Sequence, residues 1–188
     1  MEFYPASAPV PAEHRTPRLL LRPLRAADVE LDYEAVISSA AQLRRWSQSN
    51  WPADDFTLAQ NLADLERHER EHGERVALTY TVLNPAATTC LGCVYIEPAP
   101  LGAASLCAGA AYAAHVGFWV RAAEVAADLD RHLLAALREW LEADWAFECV
   151  VFTLSPQETR QAALLAEAGL QRRLTFTLPD GRECWAFA

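Results

Sequence analysis

The stretch from Ala113 to Leu154 narrows the choice of folds more than any other part of the chain. Ala113 to Val120 (AAHVGFWV) is an apolar run of strand length, and Glu148 to Leu154 (ECVVFTL) is another, short and β-branched. Between them Leu129, Leu133, Leu137, Trp140 and Leu141 recur at helical spacing within Val125 to Ala143. A helix with one apolar stripe joining two such strands makes a crossover, which sets 113–120 and 148–154 side by side and parallel in one sheet. The joint between strand and helix is where many α/β proteins hold a phosphate, on backbone N–H groups at the helix head. Here that joint carries two carboxylates, Asp128 and Asp130.

The flanking segments complete a mixed α/β (α+β) pattern. Arg18 to Leu24 reads as a short strand, Ala27 to Ala40 as a helix, and Gln42 to Phe56, with Trp46 and Trp51, as a loop or broken helix. Thr57 and Gln60 form a capping box for a helix striped by Leu58, Leu62 and Leu65 and stopped by Gly73. Val76 to Leu83 and Leu91 to Glu97 read as antiparallel strands around an Asn84-Pro85 turn, and 98–112 as a small-residue connector. A helix from Glu158 to Ala168 stops at Gly169, and Arg172–Leu178 and Glu183–Phe187 form a hairpin closed by Pro179-Asp180-Gly181. The expectation is a mostly antiparallel, seven-stranded sheet with four helices and one parallel pair.

The 188 residues suit one compact domain, 16–188, preceded by an arm, 1–15, rich in proline and expected to be flexible. That arm has no apolar core segment, so it reads as neither signal peptide nor anchor. With 25 acidic residues against 16 basic ones, the net charge of −9 argues against a nucleic-acid or anionic-membrane surface. No segment is apolar and uncharged over bilayer-spanning length. The five cysteines (90, 93, 107, 149 and 184) are odd in number and spread over expected strands, which reads as reduced, buried thiols in a cytoplasmic protein.

This order, with TPRLLLRPLRAAD at the start, HVGFWV before the long helix and RQAALLAEAGL near the end, resembles the GCN5-related N-acetyltransferase superfamily over nearly the whole chain after residue 15. The resemblance implies an acyl-CoA N-acyltransferase-like fold with a splayed parallel strand pair. It also implies acetyl-CoA as co-substrate, no metal, and an acetyl group passed to a primary amine of a small molecule or protein, and it is compatible with a homodimer. Phe118, Trp119 and Val120 would line the fork with backbone donors. The family's pyrophosphate turn (Gln or Arg, two free positions, Gly, one free position, Gly or Ala) falls on Val125, Ala126, Ala127, Asp128, Leu129 and Asp130.

That turn is degenerate. Its first position lacks a polar side chain, and both small positions are aspartates, which repel a diphosphate. Asp128 is also explained as the cap of the long helix, and Arg121 and Arg131 are candidates to offset the charge. The alternative function is therefore a non-catalytic binding or scaffold module that has lost normal CoA binding.

His115, two residues before Gly117, stands where the family often has a Glu that deprotonates the acceptor amine, and an imidazole can fill that role. A hydrogen-bonded structural histidine is the other reading. Leu165 and Glu158 stand where the family often has a Tyr acid and an Asn, and Leu165 is most simply core. Trp46, Trp51, Tyr80, Tyr95 and Trp119 are candidates to line an acceptor pocket for an apolar or cationic amine, though each is also explicable as core.

Two other motifs attract attention. His68-Glu69-Arg70-Glu71-His72 matches HExxH, which puts two imidazoles one helical turn apart as in zinc hydrolases, but it ends a charged helix with no third ligand in view. Cys90 and Cys93 have redox-like spacing but open a strand, where nothing lowers a thiol pKa.

Overall fold

The computed structural model describes residues 3–100 and 102–188; Met1 and Glu2 of the arm and Leu101 of the connector lie outside them. Among the described residues there are eight strands and five α-helices. In chain order they are β1 (His14–Arg15), β2 (Leu20–Pro23), α1 (Val29–Ser38), α2 (Ala40–Ser47), α3 (Leu58–Gly73), β3 (Leu78–Leu83) and β4 (Cys90–Pro98). There follow β5 (Ala113–Val120), α4 (Leu129–Asp144), β6 (Cys149–Leu154), α5 (Thr159–Glu167), β7 (Arg172–Thr177) and β8 (Glu183–Phe187). The sheet order is β1-β2-β3-β4-β5-β6-β8-β7, and only the β5/β6 pair is parallel.

The extra strand is the two-residue β1, too short to be seen as a periodic run. The extra helix is α2, cut from the segment expected as a loop or broken helix. Thr57 caps α3 as its sequence predicts: its hydroxyl accepts from the Gln60 N–H, and the Gln60 side chain accepts from the Thr57 N–H.

Pleating divides β5 between two cores. Ala114, Val116, Phe118 and Val120 join the α4 stripe of Leu129, Leu133, Leu137 and Trp140 on one face. Leu133, Leu137 and Trp140 are fully buried, and each such leucine contributes about 2 kcal/mol by leaving water. Trp119 lies on the other face with Leu43, Leu65 and Cys93, under α1, α2 and α3.

The arm expected to be flexible is laid on the body. Tyr4 is buried, its hydroxyl donates to the Pro9 carbonyl and accepts from the Ala146 N–H, and Arg75 donates to the carbonyls of Pro5, Ala6 and Ala8. The cause is the aromatic character of its start: Phe3 and Tyr4 pack against Phe147 and Trp145.

The cysteine expectation needs correction. Cys107 and Cys149, 42 residues apart, form a disulfide between the connector and β6, while Cys90, Cys93 and Cys184 are free. The fold brings the two Cα atoms to 5.6 Å, ordinary disulfide spacing that no reading of the intervening sequence supplies. Among the described residues no helix is long and apolar enough to cross a membrane.

Candidate active site

The parallel pairing of β5 with β6 runs from Ala113↔Cys149 to Val116↔Phe152 and stops. Beyond it β6 turns to pair with β8 through Phe152, Thr153 and Leu154, while β5 continues against β4 to Val120. The two strands therefore fork after Val116. In an antiparallel ladder, facing residues alternately exchange two hydrogen bonds and none. The Arg121 N–H donates to the Leu91 carbonyl, so in the same register Trp119 and Gly117 bond to Cys93 and Tyr95. The backbone groups of Phe118 and Val120 are turned the other way, toward the side from which β6 has departed.

The protein covers the carbonyls there itself. Gln161 of α5 donates to the Phe118 carbonyl at 2.8 Å, and Gln42 of α2 to the Val120 carbonyl at 3.0 Å. The Val120 N–H faces the opening. Of the three expected donors, Trp119 spends its N–H within the ladder and serves as cavity wall.

On the face of α1, α2 and α3 the fork opens into a cavity of about 570 Å³ reached by Thr153, Leu154 and Ser155 from β6 and its exit. Trp46, Trp51, Tyr95 and Trp119 line it as expected. Trp46 sits 5.5 Å from the Tyr95 ring, and Trp119 donates its indole N–H to the Tyr95 hydroxyl. Tyr80 does not line it. Its partner in the ladder is Val94, whose side chain faces the α4 core, and Tyr80 is buried there against Trp140 and Trp145.

His115 also lines this cavity, opposite Glu97 in the β4/β5 register. Its Nδ1–H donates to the Pro98 carbonyl at 3.0 Å, which fixes that proton, and its Nε2 lies 3.1 Å from Glu97 Oε2. Burial alone would raise the Glu97 carboxyl, but the hydrogen bond and charge of His115 outweigh it and hold Glu97 below its ordinary value. Deeper in the cavity Asp32 of α1 is 5 % exposed and accepts from Asn61 of α3 at 2.9 Å. Burial pushes its carboxyl up to about 6, and the nearby charges of Asp28 and Asp64 add to the effect.

The helix head is arranged differently from either sequence reading. Val125, Ala126 and Ala127 lie in a 3₁₀ turn, and Asp128 takes the left-handed conformation (φ 54°) that a glycine adopts freely. Asp128 makes no capping bond with its side chain. Instead Arg160 of α5 donates to Asp128 Oδ1 at 2.7 Å and to both oxygens of Asp130, at 2.6 and 2.9 Å. Arg160 in turn holds the Asp128 carboxyl below its ordinary value. Asp130 is 3 % exposed and also accepts from the Arg131 N–H in the first turn of α4. Leu129 is core.

The offsetting cation is thus Arg160; Arg121 is engaged with Glu34 and Ser38, and Arg131 with Glu167. Leu165 is buried core, as expected. Glu158 precedes the first residue of α5, and burial raises its carboxyl.

The HExxH residues have other uses. His68 and His72 both turn Nδ1 to Thr79, the first to its hydroxyl and the second to its carbonyl, and Glu69 accepts from the Ala26 N–H. Among the described residues no group of three His, Cys, Asp or Glu side chains is placed to hold a metal ion. Burial pushes the Cys90 thiol up to about 12 and Cys93 well above its ordinary value, the opposite of a redox thiolate.

Sequence reading missed Arg160, Gln161, Glu97 and the Asp32–Asn61 pair. Glu97 had a signal: it shares parity with Cys93 and Tyr95, and the hairpin register carries it opposite His115. The others act across 29 to 43 residues of chain, where nothing local marks the partner.

No family model and no curated protein matches the chain. Solved structures do. RimL, a ribosomal L7/L12 α-N-protein acetyltransferase in complex with coenzyme A, superposes with a TM-score of 0.70 at 14% identity, over 95% of both chains. RimJ of Mycobacterium smegmatis, in complex with CoA-disulfide, gives 0.71 at 17% identity over 93% of this chain and 84% of that one. The microcin C7 self-immunity acetyltransferase MccE, in complex with acetyl-CoA and AMP, gives 0.72 at 12% identity over 95% and 96%. Together with the forked parallel pair, these superpositions show that the chain has the N-acetyltransferase fold.

Proposed function

We propose that the chain is an N-acyltransferase that passes an acetyl group from a pantetheine thioester to an amine held in the aromatic cavity. The observation that carries this is the fork itself: a splayed strand pair with a backbone N–H turned into it, opening directly onto a cavity that holds a His–Glu pair. The neighbours named for acetylating protein α-amines, and those bound to CoA or acetyl-CoA, support the same chemistry. The fork leaves the Val120 N–H to meet the pantetheine arm of acetyl-CoA, whereas at the helix head, where a diphosphate would lie, the chain's own carboxylates stand.

In the transfer the amine nitrogen bonds to the acyl carbon, the carbon–sulfur bond breaks, and the thiolate takes a proton from solvent. The Val120 N–H is placed to stabilise negative charge on the acyl oxygen. The amine proton passes, directly or through water, to the space between His115 Nε2 and Glu97 Oε2. With His115 neutral and Glu97 ionised, two acceptors face each other there, and a proton entering is held by both. Glu97 alone is a poor base, because an ordinary carboxyl lies several pKa units under an amine. The cavity's aromatic walls and the Asp32 carboxylate suit a cationic or aromatic-flanked amine.

Assay of purified protein with acetyl donors and a panel of peptide and small amines tests this reading. We expect acetyl transfer, with kcat lowered about 100-fold or more in His115→Ala and Glu97→Gln while the donor KM is retained. Absence of transfer to every amine class, or full activity in both variants, overturns it.

A further inference from the structure

The helix head that would receive a diphosphate is filled by the protein. Asp130 is buried, accepts from the Arg131 N–H in the first turn of α4, and is gripped by Arg160; Asp128 stands exposed beside it on the same guanidinium. Carbonyls of the preceding turn are also committed: Val125 accepts from Arg160 and Ala127 from Arg18. Two carboxylates on one guanidinium at a helix N-terminus make an anion site whose anions are the protein's own side chains. An incoming diphosphate meets Asp128 and gains Arg160 only by taking it from two carboxylates. The fork holds no such charge: neutral amides of Gln161 and Gln42 cover the Phe118 and Val120 carbonyls, and the Val120 N–H is left facing the opening.

Resting on the acyltransferase reading above, we infer that donor recognition ends at the pantetheine arm, and that the nucleotide diphosphate of CoA is not held by this chain. The site thus selects a pantetheine thioester as a class, whatever its far end carries. Arg160 acts as a structural clasp joining α5 to the head of α4, and Asp128, in a glycine's conformation, supplies the charge that turns the diphosphate away.

Calorimetric titration of the full chain with free CoA, with pantetheine and with adenosine 3′,5′-bisphosphate tests this without requiring turnover. The expected result is that CoA and pantetheine bind within about tenfold of each other, that added salt does not weaken CoA relative to pantetheine, because it screens a repulsion and not an attraction, and that the bisphosphate does not bind. Asp128→Gly, at an exposed position whose backbone suits glycine, should tighten CoA several-fold and leave pantetheine unchanged. CoA binding 100-fold tighter than pantetheine in the wild type, or unchanged or weaker CoA binding in Asp128→Gly, overturns the inference and leaves the acyltransferase reading standing. Binding of neither CoA nor pantetheine overturns both. Equal binding of the two without transfer to any amine supports the inference and overturns the acyltransferase reading.

Discussion

Asp32→Asn should stabilise the protein, and the gain should depend on pH in a defined direction. Asp32 is almost fully buried on α1, its partner is the neutral amide of Asn61, and its carboxyl is raised from 3.8 to about 6. A carboxyl whose folded value lies above its unfolded value binds its proton more tightly in the folded state. Folding is therefore unpenalised below about pH 4, where both states are protonated, and penalised increasingly as pH rises through 6. The gap of about two pKa units corresponds to about 3 kcal/mol at pH 8. Asparagine keeps an oxygen for Asn61 and does not titrate, so the variant escapes the penalty. Urea unfolding of both proteins at pH 4, 6 and 8 should give nearly equal stability at pH 4 and a variant more stable by up to about 3 kcal/mol at pH 8, or a Tm higher by about 6–12 °C. Subtracting the two curves removes every group they share. A difference that does not change with pH, or that grows as pH falls, refutes the reasoning. If the proposed cavity takes a cationic amine, that amine should stabilise the wild type more than Asp32→Asn.

Two further outcomes follow from the packing around the fork and the connector. A Cβ on Gly92 would lie 2.1 Å from the Trp119 carbonyl oxygen and 2.9 Å from the Val120 Cα, so Gly92→Ala must displace β5 at the fork; it should cost about 2 kcal/mol or more and weaken pantetheine binding, and an unchanged urea midpoint would exclude that crowding. Denatured but unreduced protein should titrate as three thiols and reduced protein as five, with reduction costing about 2–4 kcal/mol; five thiols before reduction would disprove the Cys107–Cys149 bond.

Most elements were legible because their signals are local. The α4 stripe, the Thr57–Gln60 capping box and the Pro179-Asp180-Gly181 turn each lie within a few residues of the groups they organise. The parallel pair followed from the length and polarity of one strand–helix–strand run. Aromatic candidates at the cavity were legible in part: Tyr95 and Trp119 fall on the cavity face and Tyr80 on the other, because a ladder register, not composition, decides which side of a pleat a residue meets.

The chain's local pattern thus determined the order of elements, the crossover, and the presence of two carboxylates at a helix head. Only the tertiary structure decided what those carboxylates do. From sequence, Asp128 reads as the cap of the long helix in a spoiled phosphate turn, until α5 packs on α4 and brings Arg160 to it from 32 residues away. The same holds for the His115–Glu97 pair, the Asp32–Asn61 pair and the disulfide. Periodicity records which face a residue turns, while charge pairing depends on distances of a few ångströms that exist only after the faces have met.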